Sequence, residues 1–455
     1  MTPDYPLSSA QDVFLFADRF MFKHSWLNIA AIVDLRSAVD QDVMLQAVEL
    51  AMMRTPSARI RLHRTDKKTV RQYFSEKAPE GVELLDLSAL TDAEFDLLTE
   101  KWAQTPFPNK LMDTQLYRIK LVRRAEEHYA LYICVCHIAF DSYALMSMLE
   151  YLFRVYTALL EGTPIPREMG SPIPMYESEI TYRNSPAYEE DRAFWKSRND
   201  PSDEPMFTSL HGKDGKFNIK GKRAGKASLV PFKTATFHEN LRIPAELVEK
   251  LNTLAAKWRI SAQCFYQMAL NAYLGALCET DDVTIISTLA RRATLVQKRG
   301  GGTNTDNITV RTKFPHESTS FEEACHLLSN ELNACYRHAA FSYTDMDALR
   351  HESYGTTPLM VYSGVYFCYQ PYFMPGSMEL DFTFRRLNNG NAATPLYMTI
   401  LMSDDSGDLT VNYEVAKAYY SREQILKLHE FLLGFLTSAV DAPGKTVAEI
   451  AKENL

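Results

Sequence analysis

The chain has 455 residues, of which 46% are apolar and 23% are charged. This composition is typical of a folded protein, and the length exceeds what one core usually organises, so we expect two domains. The net charge of −8 and the isoelectric point near 5.8 argue against a nucleic-acid-binding protein. No basic segment precedes an N-terminal apolar run, and no uncharged apolar stretch of about 18 residues occurs. We therefore predict a soluble, cytoplasmic protein without a membrane span.

The seven cysteines fit neither a disulfide framework nor a zinc motif. Their number is odd and they include no CxxC pair. We expect reduced thiols that pack as small apolar side chains in a reducing compartment. They are Cys134, Cys136, Cys264, Cys278, Cys325, Cys335 and Cys368.

The first part of the chain predicts a helix, a hairpin and a second, longer helix. Apolar residues at helical spacing predict the first helix over 41–53. Segments 116–124 and 128–140 are rich in Leu, Ile, Val and Tyr and flank a charged turn, as the strands of a hairpin do. From Ser142 the period becomes helical, and Gly162 ends this helix after about five turns.

The middle of the chain opens with a long segment that lacks periodicity. Residues 197–233 are rich in Gly, Pro, Lys and Ser, so we expect an exposed loop between two halves. Helical spacing follows over 245–277 and returns over 321–338. Between these helical blocks, 282–289 and 306–313 have the composition of strands.

The last part of the chain alternates again. Apolar segments predict strands within 357–368, 395–402 and 408–414, and a closing helix over 421–437. Together with the earlier elements, they predict a mixed α/β protein without an internal sequence repeat.

His137 is the residue best placed for acid-base chemistry. It closes a strand that is apolar on both faces, and histidine is the side chain whose ordinary pKa lies near neutrality. Asp141 follows just before the helix, where a carboxylate accepts backbone N–H groups and braces the loop. A structural histidine beside a simple helix cap is the alternative interpretation.

Several motifs of other enzyme classes are absent from the sequence. The run Gly300–Gly302 is followed by neither the Lys-Ser/Thr of a phosphate loop nor a GxGxxG pattern, so we predict a turn there. No GxSxG elbow, HExxH helix or Cys/His metal spacing occurs. Serine hydrolases and zinc enzymes are therefore not favoured, and no metal is expected.

The segment from Cys136 to Ser142, together with the apolar helix that follows, resembles the core HHxxxDG motif of condensation domains from nonribosomal peptide synthetases. Weaker matches occur in the family's order and resemble its SxAQ, RHxxLR, YW, GR and VNTxxxR segments. They lie at 7–11, 54–59, 187–195, 282–292 and 304–311. The resemblance covers residues 5–445.

The resemblance implies an α/β fold of α+β two-layer sandwiches. Two lobes like chloramphenicol acetyltransferase form a V around a central tunnel, with the active histidine midway. We place an N-terminal lobe at 1–178 and a C-terminal lobe, with its exposed loop, at 179–455.

The resemblance also implies an acyltransferase that joins a carrier-bound acyl thioester to an amine. His137 orients or deprotonates the acceptor, while Asp141 and Arg292 support the site. Phosphopantetheine arrives on the carrier protein, and no cofactor is bound. Acyl or peptidyl carrier proteins are the expected partners, and adenylation domains are further candidates. Two alternatives are an ester-forming or carrier-independent acyltransferase and an inactive, condensation-like recruitment domain.

The chain departs from the family motif at two positions, because Cys136 replaces its first histidine and Ser142 its glycine. Strand alternation turns Cys136 away from the face of His137, so we predict a core thiol; a nucleophilic cysteine is the alternative. Arg292 matches the family's arginine and is a candidate partner of Asp141, with a surface arginine as the alternative. The lysine-rich segment 213–233 is either a solvated loop or a docking site for acidic carrier proteins.

Overall fold

A computed structural model describes residues 4–18, 24–36, 38–67, 69–78, 80–213, 228–229, 234–356, 360–371, 380–402 and 406–455. Its α-helices are α1 (Ser9–Asp18), α2 (Gln41–Met53), α3 (Asp92–Ala103), α4 (Ser142–Glu161), α5 (Ile173–Arg183), α6 (Pro186–Ser197), α7 (Ala245–Trp258), α8 (Gln263–Cys278), α9 (Leu295–Arg299), α10 (Phe321–Arg337), α11 (Tyr343–Tyr354), α12 (Arg422–Asp441) and α13 (Val447–Asn454).

The strands are β1 (Asp4–Pro6), β2 (Asn28–Leu35), β3 (Ile60–Arg64), β4 (Val70–Phe74), β5 (Glu83–Asp86), β6 (Tyr117–Ala125), β7 (His128–Cys136), β8 (Ser228–Leu229), β9 (Thr236–Ile243), β10 (Asp282–Leu289), β11 (Asp306–Lys313), β12 (Met360–Val361), β13 (Tyr366–Gln370), β14 (Phe382–Arg386), β15 (Leu396–Met402) and β16 (Leu409–Ala416).

The described residues divide into two compact units. Unit 1 takes Met1–Asn184, Ala290–Thr305 and Phe373–Asn391, and unit 2 takes Ser185–Leu289, Asp306–Tyr372 and Ala392–Leu455. The domains 1–178 and 179–455 remain a prediction.

Unit 1 contains a five-stranded sheet in the order β14-β2-β7-β6-β5, and β1-β4-β3 form a smaller sheet. The central strand β7 pairs antiparallel with both β2 and β6. The side chains of β7 are apolar on both faces, so both faces can be buried. They pack with buried side chains of α2 and α4 in one core. This packing gives the end of β7 a rigid support.

Unit 2 is built on a six-stranded sheet in the order β11-β10-β13-β15-β16-β9. The strands β10, β13 and β15 run parallel to one another, and the other pairings in this sheet are antiparallel. Apolar faces of α8, α10 and α12 pack with the sheet in a second core. Each unit therefore has the predicted mixture of helices and strands.

Most predicted elements are present, and the main differences are the end of one strand and a break inside one helical block. The helix over 41–53 and the strands over 282–289 and 306–313 have the predicted bounds. The strand predicted to run to residue 140 ends at Cys136, because the following residues form a turn. The predicted helical block 245–277 consists of two helices, which Arg259 separates with a left-handed φ of 58°.

The predicted loop 197–233 is described only in part. Residues 198–213 form turns and irregular backbone, and β8 lies further along. The cluster Lys216, Lys220, Lys222, Arg223, Lys226 and Lys233 lies outside the described residues. Within the described ranges, no helix has both the length and the apolar character needed to cross a bilayer.

Candidate active site

The connection from β7 to α4 forms the centre of the site, and all of its contacts given below lie within unit 1. After Cys136 the chain turns, with the N–H groups of Ala139 and Phe140 donating to the Cys136 carbonyl at 2.9 and 3.0 Å. Asp141 then adopts an extended backbone and caps α4, since its Oδ1 accepts the Ala144 N–H at 2.8 Å. The short turn therefore joins a buried strand to a capped helix.

The Asp141 carboxylate is saturated with hydrogen bonds. Besides the Ala144 N–H, the carboxylate accepts hydrogen bonds from Arg292 Nη2, which lies 3.0 Å from Oδ1 and 2.8 Å from Oδ2. Its Oδ2 also accepts the N–H groups of Asn304 and Thr305, at 2.9 and 3.2 Å. The side chain is only 2% exposed. A buried anion with this set of donors holds backbone segments together and has little capacity left for a substrate.

The Arg292 side chain is buried to the same extent as that of Asp141, and its guanidinium donates hydrogen bonds to the backbone of the loop that follows it. Nη1 donates to the carbonyl oxygens of Gln297 and Gly300 at 2.7 and 2.8 Å, and Nη2 donates to that of Gly302 at 2.6 Å. The Tyr143 ring lies 4.7 Å from the guanidinium carbon. The structure thus brings Arg292 and Asp141 together and makes the pair the anchor of residues 290–305.

The glycine run closes this loop. The carbonyl oxygens of Gly300 and Gly302 accept hydrogen bonds from the Arg292 guanidinium, and Gly302 has a left-handed φ of 93°. A Cβ atom on Gly301 would lie 2.4 Å from the buried Ser57 Oγ. Glycine suits these two positions because Gly302 has a left-handed φ and a side chain on Gly301 would press on the Ser57 hydroxyl.

His137 is the first residue after β7 and is half-buried. Its N–H donates to the Leu27 carbonyl at 2.7 Å, and its own carbonyl accepts the Thr303 hydroxyl. The imidazole stacks on the Phe14 ring, with centroids 4.0 Å apart and an interplanar angle of 27°. The backbone of His137 is therefore fixed on both sides, and the residue is half-buried with its Nδ1 atom inside the protein.

Gln11 supports the same turn from α1. Its Nε2 donates to the Ile138 carbonyl at 3.1 Å and to Gln72 Oε1 at 2.8 Å. Gln72 Nε2 donates to Gln11 Oε1 at 2.9 Å in return, and both side chains are fully buried. Gln11 belongs to the segment that matches SxAQ, so this motif contacts the HxxxD turn directly.

The sequence of this chain is similar to that of a known protein family. The condensation-domain family model matches residues 1–452. The chain belongs to the condensation-domain family. Surfactin synthase subunit 1 of Bacillus subtilis (strain 168) is 23% identical over 453 residues, which are 98% of this chain and 12% of that protein. The chain thus spans about an eighth of the length of this curated relative.

Solved condensation domains have the same fold. The first condensation domain of the calcium-dependent antibiotic synthetase, in complex with substrate analogue 2a, superposes with a TM-score of 0.81 at 21% identity, covering 98% of this chain and 99% of that one. A mutant of the starter condensation domain of rhizomide synthetase, in complex with C8-CoA, gives a TM-score of 0.82 at 19% identity, covering 98% of this chain and 96% of that one. These similarities show the condensation-domain fold.

Cys136, which replaces the first histidine of the condensation motif, is fully buried. Burial raises the pKa of its thiol to about 12. The sulfur is therefore kept neutral near pH 7, and this surrounding favours the core thiol over the nucleophilic cysteine.

The sequence singled out His137, Asp141 and Arg292, but it did not identify what surrounds them. The Phe14 stack, the Thr303 hydroxyl and the glycine carbonyls depend on contacts between distant segments. The motif matches at 7–11 and 304–311 and the predicted turn at Gly300–Gly302 mark these segments, but they do not indicate which residues the segments contact. No group of three or more His, Cys, Asp or Glu side chains in the described parts of the chain is arranged to hold a metal ion.

Proposed function

We propose that this chain is an amide-forming acyltransferase that joins a carrier-bound acyl thioester to an amine acceptor. Condensation domains are amide-forming acyltransferases, and the family match extends over residues 1–452. The observation that carries the proposal is a half-buried imidazole on a turn whose backbone is fixed on both sides. Such a side chain is preorganised for chemistry and still reachable by a substrate.

In the proposed reaction, the amine nitrogen of the acceptor attacks the thioester carbonyl carbon. A C–N bond forms, the C–S bond breaks, and the electron pair of that bond stays on the pantetheine sulfur. His137 accepts the proton that the amine loses, and this proton then passes to the thiolate. The products are an amide and a free pantetheine thiol, so atoms and charges balance.

Asp141 and Arg292 have a supporting role in this proposal. Their charged groups are almost fully buried and bind each other and the loop 290–305. They act on the reaction through the position of His137, and neither is assigned a contact with substrate.

The partners are proposed to be acyl or peptidyl carrier proteins, which supply phosphopantetheine as part of the donor substrate. Adenylation domains that load these carriers are further candidate partners. A small molecule or a second carrier-bound group serves as the acceptor.

An acyl-transfer assay with a panel of loaded carriers tests the proposal. Each carrier is offered with amine and hydroxyl acceptors, and products are identified by mass spectrometry. We expect amide products that are lost in His137→Ala and retained in His128→Ala. His128 is the matched control, because it lies at the opposite end of β7 and contacts Asp34. Ester products alone would favour the hydroxyl-acceptor alternative, and carrier binding without turnover would favour a recruitment domain.

A further inference from the structure

The face of His137 is covered by an aromatic side chain from α1. Phe14 stacks on the imidazole with centroids 4.0 Å apart, and the planes differ by 27°. Phe14 and His137 are both half-buried, whereas the next residue of α1, Leu15, is buried in the core of unit 1. Phe14 thus lies at the edge of the core, where it contacts the ring that the proposed reaction uses.

Phe14 is itself held by a second ring. The Trp26 ring lies 6.0 Å from that of Phe14, at an interplanar angle of 39°. Trp26 Nε1 donates to Asp18 Oδ1 at 2.9 Å, and His24 Nδ1 lies 2.8 Å from the same oxygen. The hydrogen bond fixes the indole, and the fixed indole lies beside the Phe14 ring.

Two physical effects follow from the stack. The terminal torsion of a histidine side chain has broad minima, so a neighbouring flat surface determines which ring orientation is populated. The face of a phenyl ring is also electron-rich and attracts a positive charge within about 6 Å of its centre. An imidazole that gains a proton during the reaction would be stabilised in that position.

We propose that Phe14 is a positioning residue for acyl transfer, which holds the His137 imidazole in its reactive orientation and stabilises the charge that develops on it. This inference rests on the proposed role of His137. A leucine of similar volume keeps the apolar contact but lacks the flat, electron-rich face, so an aromatic side chain is required at this position.

Kinetics of matched variants test the requirement. We expect Phe14→Leu to lower kcat about 10-fold or more with little change in KM for the carrier-bound donor, because misplacing a catalytic group by about 1 Å can cost about 10²-fold. Phe14→Tyr keeps the ring and should restore kcat. Phe16→Leu is the control, since Phe16 is on the same helix and is 44% exposed. A kcat of Phe14→Leu equal to that of Phe16→Leu would overturn the inference.

An NMR measurement tests the stack without turnover. In protein labelled with ¹³C-histidine, the His137 signal is the one missing from His137→Ala. Its ring protons should be shifted upfield by Phe14, and this shift should vanish in Phe14→Leu and persist in Phe14→Tyr and Phe16→Leu. The absence of an upfield shift in the unchanged protein would overturn the inference, even if the leucine variant failed to fold.

The roles of His137 and Phe14 can be tested separately. If His137→Ala retained normal turnover, the proposed role of His137 would be wrong whatever the NMR result. If His137→Ala were inactive while Phe14→Leu had normal kcat, only the role of Phe14 would be wrong.

Discussion

His137 and Asp141 lie in the same short connection, yet their surroundings are opposite. The Asp141 carboxylate is 2% exposed and bonded to Arg292 and to three backbone N–H groups. The His137 ring is half-buried and has an aromatic ring on one face. A charge with all its bonds satisfied by the protein organises structure, whereas a fixed but accessible base is suited to chemistry.

The comparison predicts the largest stability effect at the buried pair. Asp141→Ala leaves the Arg292 guanidinium without its anion and should lower the free energy of unfolding by about 3–5 kcal/mol, with activity lost as the loop 290–305 loosens. Urea denaturation measures this. Unchanged stability with lost activity would instead give Asp141 a direct chemical role.

His137→Ala should have the opposite profile. We expect acyl transfer to fall by about 10² or more, because the base is gone, while the melting temperature stays near that of the unchanged protein, since the ring is only half-buried. Turnover and thermal melting are measured on the same preparation, with His128→Ala as the control. A large loss of stability in His137→Ala would contradict this prediction, because His137 would then have a structural role like that of Asp141.

Gly301→Ala should disturb the loop 290–305 where it packs against Ser57. The new Cβ would meet Ser57 Oγ at 2.4 Å, whereas Ser57 Cβ lies at 3.6 Å. We expect a loss of about 1–3 kcal/mol from overpacking, which Ser57→Ala relieves in the double variant by removing the hydroxyl. Additive losses in a double-mutant cycle would contradict this explanation.

Cys136→Ala should have the smallest effect, a loss of about 1 kcal/mol with substantial activity retained. The pKa of the native thiol is raised to about 12, so it should react slowly with alkylating reagents at pH 8 and rapidly once unfolded. Since the unfolded thiol ionises near pH 9, Cys136 should disfavour the native state progressively from pH 9 upward. An acyl group trapped on Cys136 would overturn the assignment.

The sequence predicted elements well where a local pattern determines them. The bounds of α2 agree because apolar residues repeat at helical spacing and Asp40 caps the first turn. The end of β7 was placed too late, because Ile138, Ala139 and Phe140 are apolar and buried although they form a turn. Apolar composition alone does not distinguish a strand from a buried turn.

The site was accessible from the sequence only where a motif marked it. Arg292 contacts Asp141 across 151 residues, and only the family resemblance suggested that contact. The Phe14 stack and the carbonyl cradle of the glycine run had no local signal, because both arise when separate segments pack together.

The division of roles between His137 and Asp141 is tested most directly by comparing single-turnover rates of His137→Ala and Asp141→Ala with their free energies of unfolding, using one acyl-loaded carrier and its amine acceptor. We predict that His137→Ala loses at least about 10² in rate at nearly unchanged stability, whereas the rate loss in Asp141→Ala accompanies a loss of about 3–5 kcal/mol in the free energy of unfolding. A folded His137→Ala variant with a near-normal single-turnover rate would contradict it.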